Sequence, residues 1–194
     1  MRHAKTKCNK SIFLGQNLDL DIQEKPKKLN VNFDFQLFYS SNLKRSIQTC
    51  LFYSKRNKVI INKLLTEINY GNAEGMDFTQ LKNKYNKILS KWSKKIDARF
   101  PNGENNNDVL KRVLNFNNIL RNKLKKNKKN NTLIVTHNVF LRCLIGSTLN
   151  LSNHDWYKIN IKYNEIINFI YYNDRIIPNF NRKKYYVNEI RNFY

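Results

Sequence analysis

The apolar positions of this chain fall into two periods. Phe33-Asp34-Phe35-Gln36-Leu37-Phe38-Tyr39 alternates and then turns continuously apolar and aromatic, as a strand entering a core does. Lys58-Val59-Ile60-Ile61 is a short β-branched strand, and Thr132 to Thr136 is a third strand of buried type. Between the strands the spacing is helical. A helix is predicted from about Asn42 to Tyr53, capped by Ser41 or Asn42. One stripe, Phe78, Leu81, Tyr85, Ile88, Leu89 and Trp92, predicts a helix from Phe78 to about Ile96. A second, Leu110, Val113, Leu114, Phe116 and Leu120, predicts a helix capped by Asp108 and ending near Lys125, with Lys123 to Lys129 as its solvated end. Phe140 to Leu149 is the last predicted helix. Trp156 to Ile161 and Glu165 to Tyr172 read as a closing hairpin, and residues 4–30 as a loop with a short helical piece.

Strands that alternate with helices predict an α/β fold, a three-layer α/β/α sandwich around a mostly parallel sheet. With no repeat or linker, residues 1–194 read as one domain.

Composition adds a sign to this frame. The formal net charge is +22. Lysine, asparagine, isoleucine and tyrosine are abundant throughout, while glycine and proline are scarce, so the charge reads as a chain-wide bias with lysine as the default surface residue. Its field favours anionic substrates. Three cysteines, Cys8, Cys50 and Cys143, without CxxC spacing, give no disulfide framework or zinc site and point to a reducing cytoplasm. No apolar run approaches the roughly 18 residues of a membrane span, and Arg2, Lys5, Lys7 and Lys10 interrupt any signal core. The five glycines, Gly15, Gly71, Gly75, Gly103 and Gly146, each fall beside a loop or helix end.

The candidate chemistry begins at Met1-Arg2-His3. The chain has three histidines. His3 and His137 lie where a buried strand would run into a loop, the place where open α/β sheets bind ligands. His154 fits no motif and reads as a surface residue. With Arg45 and Glu67, the series Arg2, His3, Arg45, Glu67, His137 would form an anion pocket with a nucleophile and a proton donor.

Taken together these motifs resemble the histidine phosphatase superfamily, the phosphoglycerate mutase-like family. Arg2-His3-Ala4-Lys5-Thr6 is similar to its Arg-His-Gly-x-Thr signature, with Ala4 for glycine, and Asn9 and Phe13-Leu14-Gly15 resemble the loop that follows. Ser41-Asn42-Leu43-Lys44-Arg45-Ser46-Ile47-Gln48-Thr49 resembles Ser-x-Leu-x-Arg-x-x-x-Thr. Glu67-Ile68-Asn69-Tyr70-Gly71 with Glu74-Gly75 matches the acid loop, and Thr136-His137 with Leu141-Arg142 the second histidine motif, with Asn138 for glycine. The resemblance implies a phosphoglycerate mutase-like fold. In the family a full strand precedes the Arg-His pair in the middle of the sheet; here only Met1 does, so that first central strand is expected to be missing.

It also implies roles. His3 would attack phosphorus and become a phosphohistidine, its other ring nitrogen bound to a backbone carbonyl. Glu67 would protonate the leaving oxygen and then activate water, with Glu74 as the alternative acid or as a loop or helix-capping carboxylate. His137 would add a donor at a helix N-terminus. Arg2, Arg45 and Asn9 would bind phosphate, and Arg142 would support the site's helix. The expected function is hydrolysis of a small phosphorylated metabolite, without metal or cofactor, nucleic-acid partner or membrane. The alternatives are a cofactor-dependent phosphoglycerate mutase, which in this family carries an arginine-rich insert after the acid loop, and a basic nucleic-acid-binding protein on an inactive phosphatase scaffold. Phe100-Pro101-Asn102-Gly103-Glu104 and the short segment before it resemble the phosphatase branch.

Overall fold

The computed structural model describes residues 1–8, 11–55, 57–126 and 131–180. Its sheet has three parallel strands in the order β2-β1-β3: β1 Leu37–Ser40, β2 Val59–Ile61 and β3 Thr132–Val135. Phe38 stands opposite Val59 and Leu133, and Tyr39 opposite Ile60 and Ile134. Successive side chains of a strand point to opposite faces, and this alternation builds two cores. Phe38, Leu133 and Val135 join Met1 and Cys50 on the side of helix α1, Lys44–Ser54. Tyr39 joins Val113, Phe116, Leu120, Phe140 and Ile145 on the side of α3, Asn106–Lys126, and α4, Asn138–Thr148. Helices therefore cover both faces of a parallel sheet, the expected three-layer α/β/α arrangement.

The first residues extend the sheet beyond β3. Thr136 N–H donates to Met1 O at 3.0 Å, His3 N–H donates to Thr136 O at 3.0 Å, and the Met1 amino group donates to Ile134 O at 2.6 Å. On their other side, Arg2 N–H donates to Glu165 O and Asn164 N–H to His3 O. Met1 to His3 thus make only an isolated bridge beside β3, and the described residues hold no full strand there, as expected.

The remaining elements differ from expectation in local ways. Helix α1 has Leu43 at its N-cap with no side-chain bond. Ser41 and Asn42 do not cap it, because their side chains are engaged with His137 and Thr66. Helix α2, Phe78–Ser93, is capped by Asp77 in a box with Gln80 and is interrupted by non-helical geometry at Tyr85. Helix α3 begins before Asp108. Asn105 takes the Asp108 amide and Asp108 takes the Asn105 amide, a reciprocal cap that makes Asp108 a first-turn residue. Leu114 is half exposed, and Val109 and Leu124 fill the core positions instead. The closing hairpin is β4, Phe169–Tyr172, with β5, Arg175–Pro178. The segment around Trp156 is a 3-10 helix, Asn153–Lys158, because its indole packs flat on α4 rather than alternating along a strand.

That packing is the reason for a glycine inside α4. A Cβ at Gly146 would overlap the Trp156 ring. Alanine is intrinsically the better helix former by about 1 kcal/mol, but overpacking a core site costs about 1–3 kcal/mol. Gly146→Ala is therefore expected to lower the melting temperature by several degrees. An unchanged or raised Tm would show that Trp156 moves aside freely.

Candidate active site

Three strand ends and the bridge of Arg2 with Thr136 meet in one place. Arg2 and His3 follow the short pairing with Thr136, Ser41 and Arg45 follow β1, Glu67 follows β2 through a 3-10 turn, and His137 follows β3. All lie at the C-terminal ends of parallel strands, where backbone groups leave the sheet and helices begin. The rings of His3 and His137 are 4.9 Å apart, and both side chains are buried, as are Arg45 and Glu67.

Each histidine has one nitrogen engaged. His3 Nδ1 lies 2.6 Å from Ala4 O. A carbonyl only accepts, so Nδ1 carries the proton and Nε2 keeps the lone pair. The tight backbone around Ala4, which is fully buried with its N–H on Thr49 Oγ1 at 2.9 Å, fixes that ring. His137 Nε2 is 2.6 Å from Ser41 Oγ, which also takes the Leu43 amide at 3.3 Å. Ser41 Oγ–H can donate to Nε2, and with the bond in that direction the imidazole proton stands on Nδ1. That Nδ1 is buried and has no partner among the described residues.

The arginines are held by neutral acceptors. Arg45 is fully buried, with Nη2 donating to Gly15 O at 2.6 Å and Nη1 to Leu18 O at 3.3 Å, while Asp19 stands 4.0 Å away. Arg2 donates from Nη1 to Ile161 O at 2.6 Å and lies over the Tyr163 ring, 3.8 Å from its centre. Nε of Arg2 and Nε of Arg45 are both buried without a protein partner. Burial pulls the Arg45 pKa below its usual value, and the charge of Glu67 pulls it back. Three unpartnered buried nitrogens, from Arg2, Arg45 and His137, thus belong to the residues that surround His3.

Glu67 faces the opposite end. Its Oε1 accepts from Ile68 and Val139 N–H at 3.0 Å each, and its Oε2 from Asn138 N–H at 3.0 Å. The carboxylate therefore sits on the first turn of α4, where free amides and the helix dipole favour an anion. Arg112 holds the loop from behind, donating to the carbonyls of Leu64, Thr66 and Glu67 and pairing through two nitrogens with Glu104.

Glu74 lies elsewhere. It caps no helix, since Asp77 does that for α2. Its Oε2 takes the Gln16 amide at 3.1 Å and its Oε1 the Leu18 amide at 2.7 Å. Asn9 lies outside the described residues. Arg142 donates to Ile159 O at 2.9 Å and ties α4 to the following segment, and His154 pairs with Ser152 away from the site. A cavity of about 410 Å³ borders Tyr163 and Asn164, but neither histidine nor any of the arginines lines it. The sequence pattern passed over Gln16, Arg112 and Tyr163. Glu104 precedes α3, so no helical spacing joins it to Arg112, and Tyr163 had no signal beyond following the apolar Ile161.

A family model described as the histidine phosphatase superfamily (branch 1) matches residues 1–180. The 2,3-bisphosphoglycerate-dependent phosphoglycerate mutase of Buchnera aphidicola is 29% identical over 83% of this chain and 87% of that protein. The 6-phosphofructo-2-kinase 1 of Saccharomyces cerevisiae is 30% identical over 65% of this chain, and the match spans 16% of that protein's length. The solved alpha-ribazole phosphatase from Shigella flexneri superposes with a TM-score of 0.71 at 19% identity, covering 97% of each chain.

Burial pushes the pKa of His3 well below its ordinary value, and the Arg45 charge adds to the shift; burial and then the His3 charge do the same to His137. Both rings are neutral in the fold. The unfolded chain binds protons that the folded chain refuses from about pH 6.5 downward. Stability is then full above that pH and falls as the pH drops toward the folded values. Melting curves from pH 8 to 5 should show this slope, and His137→Gln should flatten it. An identical slope in the variant would mean that His137 titrates normally.

Proposed function

The chain belongs to the histidine phosphatase superfamily, branch 1, and we propose that it is a phosphomonoester hydrolase acting through a phosphohistidine at His3. One observation carries this reading: three buried nitrogens without a partner among the described residues, on Arg2, Arg45 and His137, accompany a histidine whose Nδ1–H is held by Ala4 O, so that its lone pair stands on Nε2. Phosphoryl transfer asks a protein mainly to place charge and donors around three equatorial oxygens. Two guanidiniums and an imidazole N–H would do so from buried side chains, where such contacts are stronger than in water.

The steps follow from the geometry. His3 Nε2 attacks phosphorus as the ester oxygen leaves, and Nδ1 passes no proton because Ala4 O holds it. Glu67, whose carboxylate rests on three amides, first takes a proton that the phosphomonoester monoanion brings, passes it to the leaving oxygen, and then takes one from the water that attacks the phosphohistidine. His137 Nδ1–H donates to the transferring phosphoryl group. No metal enters this scheme; among the described residues no group of three or more His, Cys, Asp or Glu side chains could hold one. The substrate is a small phosphorylated molecule, and the basic surface would draw it in. That the solved neighbour is a phosphatase supports hydrolysis. The Buchnera relative supports a mutase reading, but Arg99 is the one arginine between Gly75 and Phe100, and it pairs with Asp108 at 2.9 Å, leaving no arginine there for a second phosphate.

Two measurements test the proposal. Phosphate release from a panel of phosphomonoesters should persist in a chelator and vanish in His3→Ala, and turnover quenched in alkali, where the P–N bond survives, should leave a phosphohistidine only in the wild type. Arg45→Ala should lower kcat by about a hundred- to a thousandfold, as loss of a transition-state donor does. Turnover unchanged in His3→Ala would remove His3 as nucleophile. Separately, Glu67→Gln should slow alkyl phosphates strongly and aryl phosphates little, since good leaving groups need no proton. Equal loss for both classes would take the acid role from Glu67.

A further inference from the structure

Residues 15–18 pass between two opposite charges. Their carbonyls, Gly15 O and Leu18 O, receive the Arg45 guanidinium. Their amides, on Gln16 and Leu18, are received by the two oxygens of Glu74. The Gly15–Gln16 peptide unit is thereby polarised from the carboxylate through its amide and carbonyl to the guanidinium, and hydrogen bonds at the two ends of one unit strengthen one another. The approach is close: a Cβ on Gly15 would stand 2.8 Å from Glu74 Oε2 and 2.9 Å from Ile68 O. The side chain of Gln16 crosses to the acid loop, donating to Glu67 O at 2.6 Å.

We infer, on the reading of the site given above, that Glu74 is a positioning residue for Arg45: it fixes the 15–18 loop whose carbonyls aim the guanidinium, and so sets the affinity of the site for the phosphoryl group without touching it. Among the described residues, Arg45 has no carboxylate closer than Asp19 at 4.0 Å. With Glu74 neutral or absent, only main-chain stiffness would keep Gly15 O and Leu18 O in place, and the guanidinium would lose the two acceptors that define its plane. Glu67, by contrast, is placed by α4 and by Arg112, so its proton transfer does not pass through Glu74.

The test reads Arg45 directly. In nitrogen-labelled protein its buried Nε–H should give a protected NMR resonance. Glu74→Gln and Gly15→Ala, which disturb the same loop by opposite means, should both broaden or shift it in protein that still melts cooperatively. Vanadate binding should weaken about tenfold in each, and KM should rise more than kcat falls, equally for alkyl and aryl phosphates. In an Arg45→Ala background, Glu74→Gln should add no further loss of vanadate affinity, because the two act as a unit. An unmoved Arg45 resonance in both variants, or an undiminished Glu74→Gln effect on affinity without Arg45, overturns the inference. A shifted resonance in a protein whose wild type binds no vanadate upholds the positioning and removes the phosphatase reading instead.

Discussion

The arrangement depends on a guanidinium with no exposed surface. Moving a cation from water into a protein interior costs several kcal/mol even after relaxation, and Arg45 has no carboxylate in close contact to offset it. The fold answers with oriented carbonyls, from Gly15 and Leu18, and with the longer-range charges of Glu67, Asp19 and Glu74. Full neutralisation by a carboxylate in the first contact layer would have been the more stable solution. It would also have filled the donor that the proposed reaction needs. The site keeps Nε open and bears the cost as excess positive charge around two neutral histidines.

The same economy explains why the parts come from strand ends. A buried donor without a partner destabilises the fold by about 1–3 kcal/mol, so residues carrying several of them must be gripped elsewhere. Each is gripped through its remaining atoms: Arg2 by Ile161 O and the Tyr163 ring, His137 by Ser41, His3 by Ala4 O. Those grips are short because the parallel strands bring their C-terminal ends within a few ångströms of one another, and the following helices start there with free amides. Glu67 shows the complementary case. An acid that must stay put is held by amides on the first turn of α4 rather than by a cation, leaving the arginines free to face an anion.

Much of this was legible in the sequence, and the reasons for the exceptions are physical. The short, continuously apolar runs at Leu37, Val59 and Thr132 marked the strands, since strands of a parallel sheet covered by helices leave little room for polar interruptions. Core positions of α3 slipped by one at Leu114, because an amphipathic stripe tells which side is apolar but not how far the sheet's curvature reaches; the structure uses Val109 and Leu124 and leaves Leu114 in solvent. Helix starts were displaced where a capping-type residue was claimed by tertiary contacts. Ser41 could have capped α1, but its hydroxyl is worth more against His137, where it decides which nitrogen carries the proton. The hairpin was misplaced because Trp156 to Ile161 has a strand-like apolar content that the structure spends on packing against Gly146 in a 3-10 turn. Arg112 and Gln16 were invisible for another reason: they act on main-chain atoms of distant residues, and backbone acceptors leave no mark in a sequence.

That blind spot matters for how such sites should be understood. The side chains that meet a substrate are typed by chemistry, so an arginine, a histidine and a glutamate in order can be read from the chain. Their aim is set by carbonyls and amides, and these are placed by a second layer whose residues need only a charge of the right sign at the right distance. Here Glu74 and Glu104 both hold loops by the amides, and Arg112 holds one by the carbonyls. Gln16 links the two loops through its side chain, so the 15–18 loop and the 64–69 loop cannot shift independently. Because hydrogen bonds to main-chain atoms fix both position and direction, a change in this layer would tilt a donor rather than delete it, and its effect would appear in the strength of anion binding before it appeared in stability.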